Sequence, residues 1–131
     1  MKIQLYIDIP SFNNLNLNLT FNNKEITTKI SKIKNQLGHY CWDFEVTPQK
    51  ENLIKLTATG VTQYINVADC IIDDINYDIV HIMNCRANQV KGATQIDGDG
   101  IIEIPFTTPV CLHWAKTFNN FTYEDYPNWT N

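Results

Sequence analysis

The sequence contains one arginine, Arg86, and only two serines, Ser11 and Ser31. Lysine and arginine together number 10 against 14 aspartates and glutamates, which gives a formal charge of −4 at pH 7. Proteins that bind nucleic acids present a basic patch to the phosphates, so we expect no nucleic-acid partner. Neither serine lies in a Gly-x-Ser-x-Gly turn, which argues against a serine hydrolase.

Long apolar runs are also missing from the sequence. A membrane-spanning helix needs about 18–20 apolar residues, and no segment approaches that length. Asp8 and Pro10 interrupt the first apolar stretch before it reaches the length of a signal peptide. We therefore expect no membrane partner and no signal peptide, with synthesis in a host cytoplasm.

Cys41, Cys70, Cys85 and Cys111 form no Cys-x-x-Cys pair, which argues against a zinc ribbon or a thioredoxin-type site. Each of them lies in or beside an apolar stretch. This predicts reduced, buried thiols that pack as small hydrophobic side chains. One or two disulfides remain an alternative if the mature protein is extracellular.

The abundant feature is strict alternation of apolar and polar residues. Ile3, Leu5 and Ile7 alternate in this way, and Tyr40, Trp42, Phe44 and Val46 form the strongest such series. The pattern and its turn residues predict strands over 2–9, 14–21, 25–33, 39–46, 52–58, 69–75, 77–83, 101–106 and 110–114. Many short strands with short connections predict an all-β fold, an antiparallel β-sandwich or jelly roll.

The length of 131 residues suits a single domain. We assign residues 1–117 to the β-sandwich and residues 118–131 to a C-terminal tail. The tail is rich in aromatic residues, whereas disordered segments contain few of them. We therefore predict that the tail is ordered. It packs either on its own domain or on a neighbouring subunit, and the sequence leaves both open.

No set of residues indicates catalysis. His39 and Cys41 are the one His–Cys pair that shares a face of a predicted strand at close spacing, and a solvated outer face explains it better than a nucleophile and base. We therefore predict that the protein is not an enzyme. A small hydrolase that uses Cys41 or a pair of carboxylates is the weakest alternative.

Two acidic groups indicate a calcium site. Asp97-Gly98-Asp99-Gly100 places two carboxylates in a glycine turn, although a plain hairpin turn explains this motif better than a calcium site does. The second group is Asp69, Asp73, Asp74 and Asp78. From these groups we select Asp97, Asp99, Asp73 and Asp74 as candidate calcium ligands, and the cofactor prediction is calcium or none.

Aromatic side chains supply the candidate contacts with a ligand or a partner. An exposed tryptophan or tyrosine stacks on sugars or lies in subunit interfaces, whereas a buried one fills the core. The residues selected for contact with a ligand or an interface are Trp42, Tyr123, Tyr126 and Trp129.

Residues 14–83 resemble the small calcium-dependent, xylan-binding type of carbohydrate-binding module. The matching motifs are the alternating segment and Asn turn at 15–23, Gly38-His39-Tyr40-Cys41-Trp42, Glu51-Asn52-Leu53-Ile54 and Ala68-Asp69-Cys70-Ile71-Ile72-Asp73-Asp74-Ile75. The resemblance implies a jelly-roll sandwich that binds sugar through calcium held by loop aspartates and backbone carbonyls. Similar modules also occur in virion proteins of phages.

The 17 isoleucines, 16 asparagines and 9 lysines are typical of an A+T-rich genome such as that of a phage. Together these features predict a non-enzymatic binding protein, a phage virion accessory protein that serves in capsid decoration, the neck or the tail fibre. Its partners would be other virion proteins or its own subunits, with a host-surface glycan as a further candidate. The alternative is a calcium-dependent carbohydrate-binding lectin module.

Overall fold

The computed structural model of the protein describes residues 1–110. The predicted tail over 118–131, with Tyr123, Tyr126 and Trp129, lies outside the described residues. So do the predicted domain boundary and all but the first residue of the strand predicted over 110–114. No helix of residues 1–110 has the length and hydrophobicity that spanning a membrane requires.

Two antiparallel sheets form the described part of the chain and confirm the predicted β-sandwich. The first sheet has the strand order β10-β6-β1-β4, with β7 paired to β6, and the second has the order β3-β2-β5-β11-β8-β9. The strands are β1 Lys2–Asp8, β2 Asn16–Phe21, β3 Lys24–Glu25, β4 Tyr40–Glu45, β5 Glu51–Thr59, β6 Ile65–Ile72, β7 Ile75–Tyr77, β8 Arg86–Ala87, β9 Val90–Lys91, β10 Gln95–Ile96 and β11 Gly100–Thr107.

The core lies between the two sheets and is built from every second residue of the long strands. In β1, Ile3, Leu5 and Ile7 are all fully buried, while their neighbours in the strand face outward. The second sheet contributes its own alternating series, Ile54, Leu56, Ala58, Ile102, Ile104 and Phe106. Burying one such aliphatic or aromatic side chain contributes about 1.5–3 kcal/mol to stability, which keeps the apolar residues of each strand in the core. The residues between them therefore remain available on the outer faces.

Two tight turns rely on residues that tolerate positive φ. Asn22 and Asn23, at φ 51° and 66°, join β2 to β3, which confirms the predicted two-residue Asn turn. Asp73 and Asp74, at φ 48° and 68°, join β6 to β7 in the same way. Asn and Asp adopt this left-handed conformation at lower cost than other non-glycine residues, which explains their presence at both turns.

The strand predicted over 25–33 is wrong beyond Glu25. From Ile26 onward the chain runs irregularly beside the edge strand β4, held by single hydrogen bonds such as Ser31 N to Cys41 O. Ile26 and Ile30 pack on the core, but Ile33 is 82% exposed. Spacings of four and three cannot place all three isoleucines on one face of a strand, which alternates with period two.

Two further predictions along the chain need correction. Residues 78–83 form turns rather than a strand, with Ile82 N and Met83 N both bonded to the carbonyl oxygen of Asp78. The loop at 97–100 is not a hairpin, because β10 pairs with β6 in the first sheet and β11 pairs with β5 in the second. That loop therefore crosses from one sheet to the other.

Candidate functional site

The crossing loop uses both of its predicted calcium ligands to hold itself in place. Asp99 Oδ1 accepts a hydrogen bond from the backbone N–H of Val61 at 3.0 Å. Asp97 Oδ1 accepts one from Gln95 Nε2 at 2.8 Å. These contacts give both carboxylates a structural role at the end of the sandwich where β6 begins.

The other two predicted ligands lie at the opposite end of β6. Asp73 and Asp74 form the β6–β7 turn, and Asp73 Oδ1 accepts a hydrogen bond from the backbone N–H of Lys2 at 2.8 Å. Seven residue steps separate Ile65, next to the crossing loop, from Ile72, which is about 23 Å along a strand. The four aspartates therefore cannot share one ion.

A calcium site also needs several oxygen ligands within about 2.3–2.6 Å of one point. Within residues 1–110, no three or more His, Cys, Asp or Glu side chains come together in a group that could hold a metal. The acidic side chains of this part of the chain therefore do not fit the ligand set that the family resemblance implies. Calcium binding stays a prediction, and no binding step below is derived through it.

Trp42, which was selected from the sequence for contact with a ligand or an interface, needs correction because its side chain is buried. Its side chain is 3% exposed, and its Nε1–H donates to the carbonyl oxygen of Thr28 at 2.8 Å. A ring that stacks on a sugar needs an accessible face, whereas the Trp42 ring packs in the core. Its hydrogen bond holds the irregular segment around Thr28 against β4.

The first sheet carries an open polar cleft of about 520 Å³ between β7 with the turn that follows it and Thr94 before β10, beside an irregularity in β6. β1 and β6 shift register between Tyr6 and Ile7, which leaves Ala68 as an extra residue in a β-bulge. The bulge places Asp69 on the outer face opposite Tyr6. Side chains of Asn66, Asp69, Asn76, Asp78 and Thr94 line the cleft.

Hydrogen bonds orient some of these polar groups and leave others available. Thr94 Oγ1 donates to Asn66 Oδ1 at 2.6 Å, and Asn76 Nδ2 donates to Asp69 Oδ1 at 3.4 Å. Within the described chain, the Asn66 amino group and the second oxygen of Asp69 have no such partner. The cleft therefore presents a hydrogen-bond donor and a carboxylate acceptor to whatever enters it.

Asp78 lines the same cleft but has a structural role. Its Oδ1 accepts hydrogen bonds from the backbone N–H groups of Val80 and His81, both at 2.9 Å. These bonds, with a contact between its Oδ2 and the His81 ring, hold the pKa of this carboxyl below its usual value. Of the second acidic group predicted from the sequence, the cleft brings together Asp69 and Asp78 and leaves Asp73 and Asp74 in their turn.

Tyr6 is the cross-strand partner of Asp69, which lines this cleft, and so places an aromatic ring next to that carboxylate. It lies half-buried on the outer face of β1, with Asp69 as its neighbour in β6 and Cys41 as its neighbour in β4. Burial first, and then the nearby Cys41 and acidic groups, raise the pKa of its phenol. The phenol is therefore protonated at neutral pH, and it is hydrogen-bonded with Cys41. We call Tyr6, Asn66, Asp69, Asn76 and Thr94 the first-sheet face.

A second cleft of about 470 Å³ lies on the outer face of the second sheet. Leu53 and Pro105 are cross-strand partners and form its apolar floor, and Asn23, Asn84 and Arg86 are among its polar walls. The buried Glu103, 8% exposed, accepts hydrogen bonds from Arg86 Nε at 3.2 Å and from Gln89 Nε2 at 2.9 Å. The hydrogen bond from Arg86, before all else, lowers the pKa of Glu103, which keeps this carboxyl ionised.

Cys41 shows no activation of the kind that a nucleophilic thiol needs. Burial raises its pKa, although a hydrogen bond with Tyr6 opposes the effect. A catalytic cysteine needs the opposite shift, toward the thiolate. Cys41 therefore does not fit the role of a nucleophile.

Apart from Asp69 and Asp78, the residues of both clefts were missed at the level of the sequence. Tyr6, Asn66, Asn76, Arg86 and Glu103 are spread over 98 positions, and only strand register brings them together. The sequence held one local signal, Glu103, which interrupts the apolar series of β11. A carboxylate in an apolar strand needs a partner with which to pair, so its presence predicts such a partner.

Comparison with known proteins supports the fold. The solved structure of vCBM60 in complex with galactobiose is similar to this chain, with a TM-score of 0.50 and 7% sequence identity. The match covers 79% of this chain and 97% of that chain. No protein-family model matches the sequence, and no curated protein matches it at a significant level. The chain therefore has a β-sandwich fold of the carbohydrate-binding-module kind.

Proposed function

We propose that this protein is a non-catalytic carbohydrate-binding β-sandwich and that the first-sheet face binds the sugar. The observation that carries the proposal is the placement of the half-buried Tyr6 ring beside Asp69 in a fold similar to that of a protein bound to galactobiose. An aromatic ring packs against the C–H face of a pyranose, and a carboxylate accepts hydrogen bonds from its hydroxyl groups.

The polar groups of the face suit a neutral, hydroxyl-rich ligand. Asn66, Asn76 and Thr94 provide amide and hydroxyl groups that donate and accept, as sugar hydroxyls do. The acidic side chains Asp69 and Asp78 of this cleft disfavour an anionic ligand. A neutral galactose-containing disaccharide is therefore the first ligand to test.

Two predictions from the sequence, calcium dependence and a role in a phage virion, are separate from this proposal and stay predictions. Calcium dependence would require ligands beyond the acidic side chains of residues 1–110, so the binding test includes a chelator arm. The role as a phage virion accessory protein, with virion partners and location, rests on composition and on the family resemblance alone.

The test is calorimetric titration of the protein with galactobiose, in buffer with calcium and in buffer with EDTA. Asp69→Asn keeps the shape of the side chain and removes its charge, so we expect binding to weaken about tenfold. Tyr6→Ala should abolish detectable binding. Glu45→Gln is the matched control because it removes an exposed carboxylate from the same outer sheet face and should change affinity less than twofold.

The proposal fails if galactobiose produces no heat at millimolar concentration in either buffer. It also fails if Asp69→Asn and Glu45→Gln have equal effects. Loss of binding in EDTA alone would support the calcium prediction, and equal binding in both buffers would refute it.

A further inference from the structure

We propose that the second-sheet cleft is a separate site for an acidic sugar and that Arg86 binds the carboxylate of that sugar. The site lies on the opposite sheet from the first-sheet face and shares no residue with it. It takes a different ligand class, and it does not depend on whether the first-sheet face binds a neutral sugar.

Arg86 is held in an orientation that leaves its carboxylate-binding end available. Its Nε bonds to the buried Glu103, while its two terminal amino groups have no hydrogen-bond partner in residues 1–110. Its side chain is 36% exposed and lines the cleft. A guanidinium with a fixed Nε presents two parallel N–H groups that match the two oxygens of a carboxylate.

The strand register places two lysines in the same cross-strand row as Arg86. Glu103 pairs with Lys55 on one side and with Arg86 on the other, and Arg86 pairs in turn with Lys91. This row across four strands carries three cations and one buried anion. An excess of positive charge in a protein of net charge −4 favours an anionic ligand at this place.

The remainder of the cleft suits a sugar ring rather than a bare anion. Leu53 and Pro105 offer an apolar strip between Arg86 and the far wall. The side chains of Asn23 and Asn84 project at positions of positive φ, and neither has a side-chain hydrogen bond to the described residues. They supply amide groups for hydroxyls on both sides of the strip.

The far end of the cleft carries a hydrogen-bond acceptor, the carboxylate of Glu51. Glu51, which is exposed, lies four residue steps and two strand spacings from Arg86, about 16 Å between Cα atoms. At that distance it does not compete for Arg86, and it accepts hydrogen bonds from hydroxyl groups at the other end of the ligand. A hexuronate-containing disaccharide has a carboxylate, an apolar C–H face and hydroxyl groups in this combination.

The test is titration of ¹⁵N-labelled protein with digalacturonate, compared with galactobiose and with acetate. We expect digalacturonate to shift the Arg86 Nε–H and Asn84 amide signals, and we expect the other two ligands to leave them unchanged. Affinity should fall steeply with added salt because the main contact is ionic. Signals of the first-sheet face report the separate neutral site, so failure of one proposal does not affect the other.

Variants separate the role of Arg86 in binding from its role in folding. Arg86→Gln should weaken digalacturonate binding at least about tenfold, but it leaves Glu103 buried without its cation. The double change Arg86→Gln with Glu103→Gln removes both charges and should fold, and it should show the same loss of binding. Lys29→Gln is the matched control, since it removes one exposed cation outside the row and should leave affinity within twofold.

Three results would overturn the proposal. Acetate could shift the Arg86 signal as strongly as digalacturonate, which would show a simple anion contact. Galactobiose could bind at the same signals, which would remove the selectivity for a carboxylate. A folded double variant could bind digalacturonate normally, which would show that Arg86 is not the contact.

Discussion

Replacing Asn52 with alanine tests the buried amide that holds the start of β5 to the β2–β3 turn. Asn52 is 5% exposed, although it occupies a core position in β5. Its Oδ1 accepts from Gln49 N at 2.7 Å and from Asn22 Nδ2 at 3.0 Å, and its Nδ2 donates to Gln49 O at 2.9 Å. Alanine removes all three hydrogen bonds at once. The polar groups of Gln49 and Asn22 then lose their partner in a partly buried place.

The expected loss follows from these contacts. Each well-formed hydrogen bond contributes about 1 kcal/mol net, so the free energy of unfolding should fall by about 3 kcal/mol. For a chain of this length each kcal/mol shifts the melting temperature by about 4 °C, which predicts a drop of about 12 °C. The longer contact from Asn52 Nδ2 to Phe106 O, at 3.5 Å, is left out of this figure.

The assay is urea unfolding followed by circular dichroism and tryptophan fluorescence. Asn18→Ala is the control because Asn18 is exposed and its amide only approaches Glu25, at 3.5 Å. That control should change stability by less than about 0.5 kcal/mol. A loss for Asn52→Ala no larger than that of the control would refute the assigned role of the buried amide.

Gly60→Ala should destabilise the protein more than Gly38→Ala in the same unfolding assay, since both have positive φ but only at Gly60 would a Cβ overlap neighbouring backbone. The lowered pKa of Glu103, caused mainly by the hydrogen bond from its arginine partner, means that its stabilisation is present above its usual pKa of 4.5 and is lost as pH falls below it. Glu103→Gln should therefore lose less stability than the wild type in thermal melts between about pH 5 and 3. Iodoacetamide should label native protein at Cys41 before Cys70, because burial raises the pKa of Cys70 to about 12, and equal labelling in a peptide mass map would contradict the structure.

The sandwich could be predicted from the sequence because alternation is a local property. Every second residue of β1, β4 and β5 is buried as the pattern requires. The prediction failed where isoleucines at other spacings were taken for a strand, over 26–33. It failed again at Asp78, where hydrogen bonds from two backbone N–H groups stabilise a turn that apolar content alone does not reveal.

The candidate sites could not be predicted in the same way because strand order is not local. Asp69 was recognised as part of an acidic group, but its partner Tyr6 comes from a strand 63 residues earlier and faces it only across a β-bulge. Arg86 was noted only for being the single arginine, and its buried partner Glu103 becomes apparent only when β8 is paired with β11. Residues that the sequence grouped by type can also lie far apart, since Asp97 and Asp99 lie at the opposite end of β6 from Asp73 and Asp74.

The same alternation that builds the core makes the two outer faces independent of each other. Each strand sends its polar residues away from the core, and two packed sheets are about 10 Å apart, so a ligand on one face cannot contact the other. The cleft of the first-sheet face is lined by the carboxylates of Asp69 and Asp78, whereas the row through Arg86 contains three cations. A sandwich with faces of opposite charge character can hold two chemically different ligands without a change of fold. A substitution that keeps the core intact therefore reports on one face alone, which is what allows the neutral and acidic sugar proposals to be refuted separately.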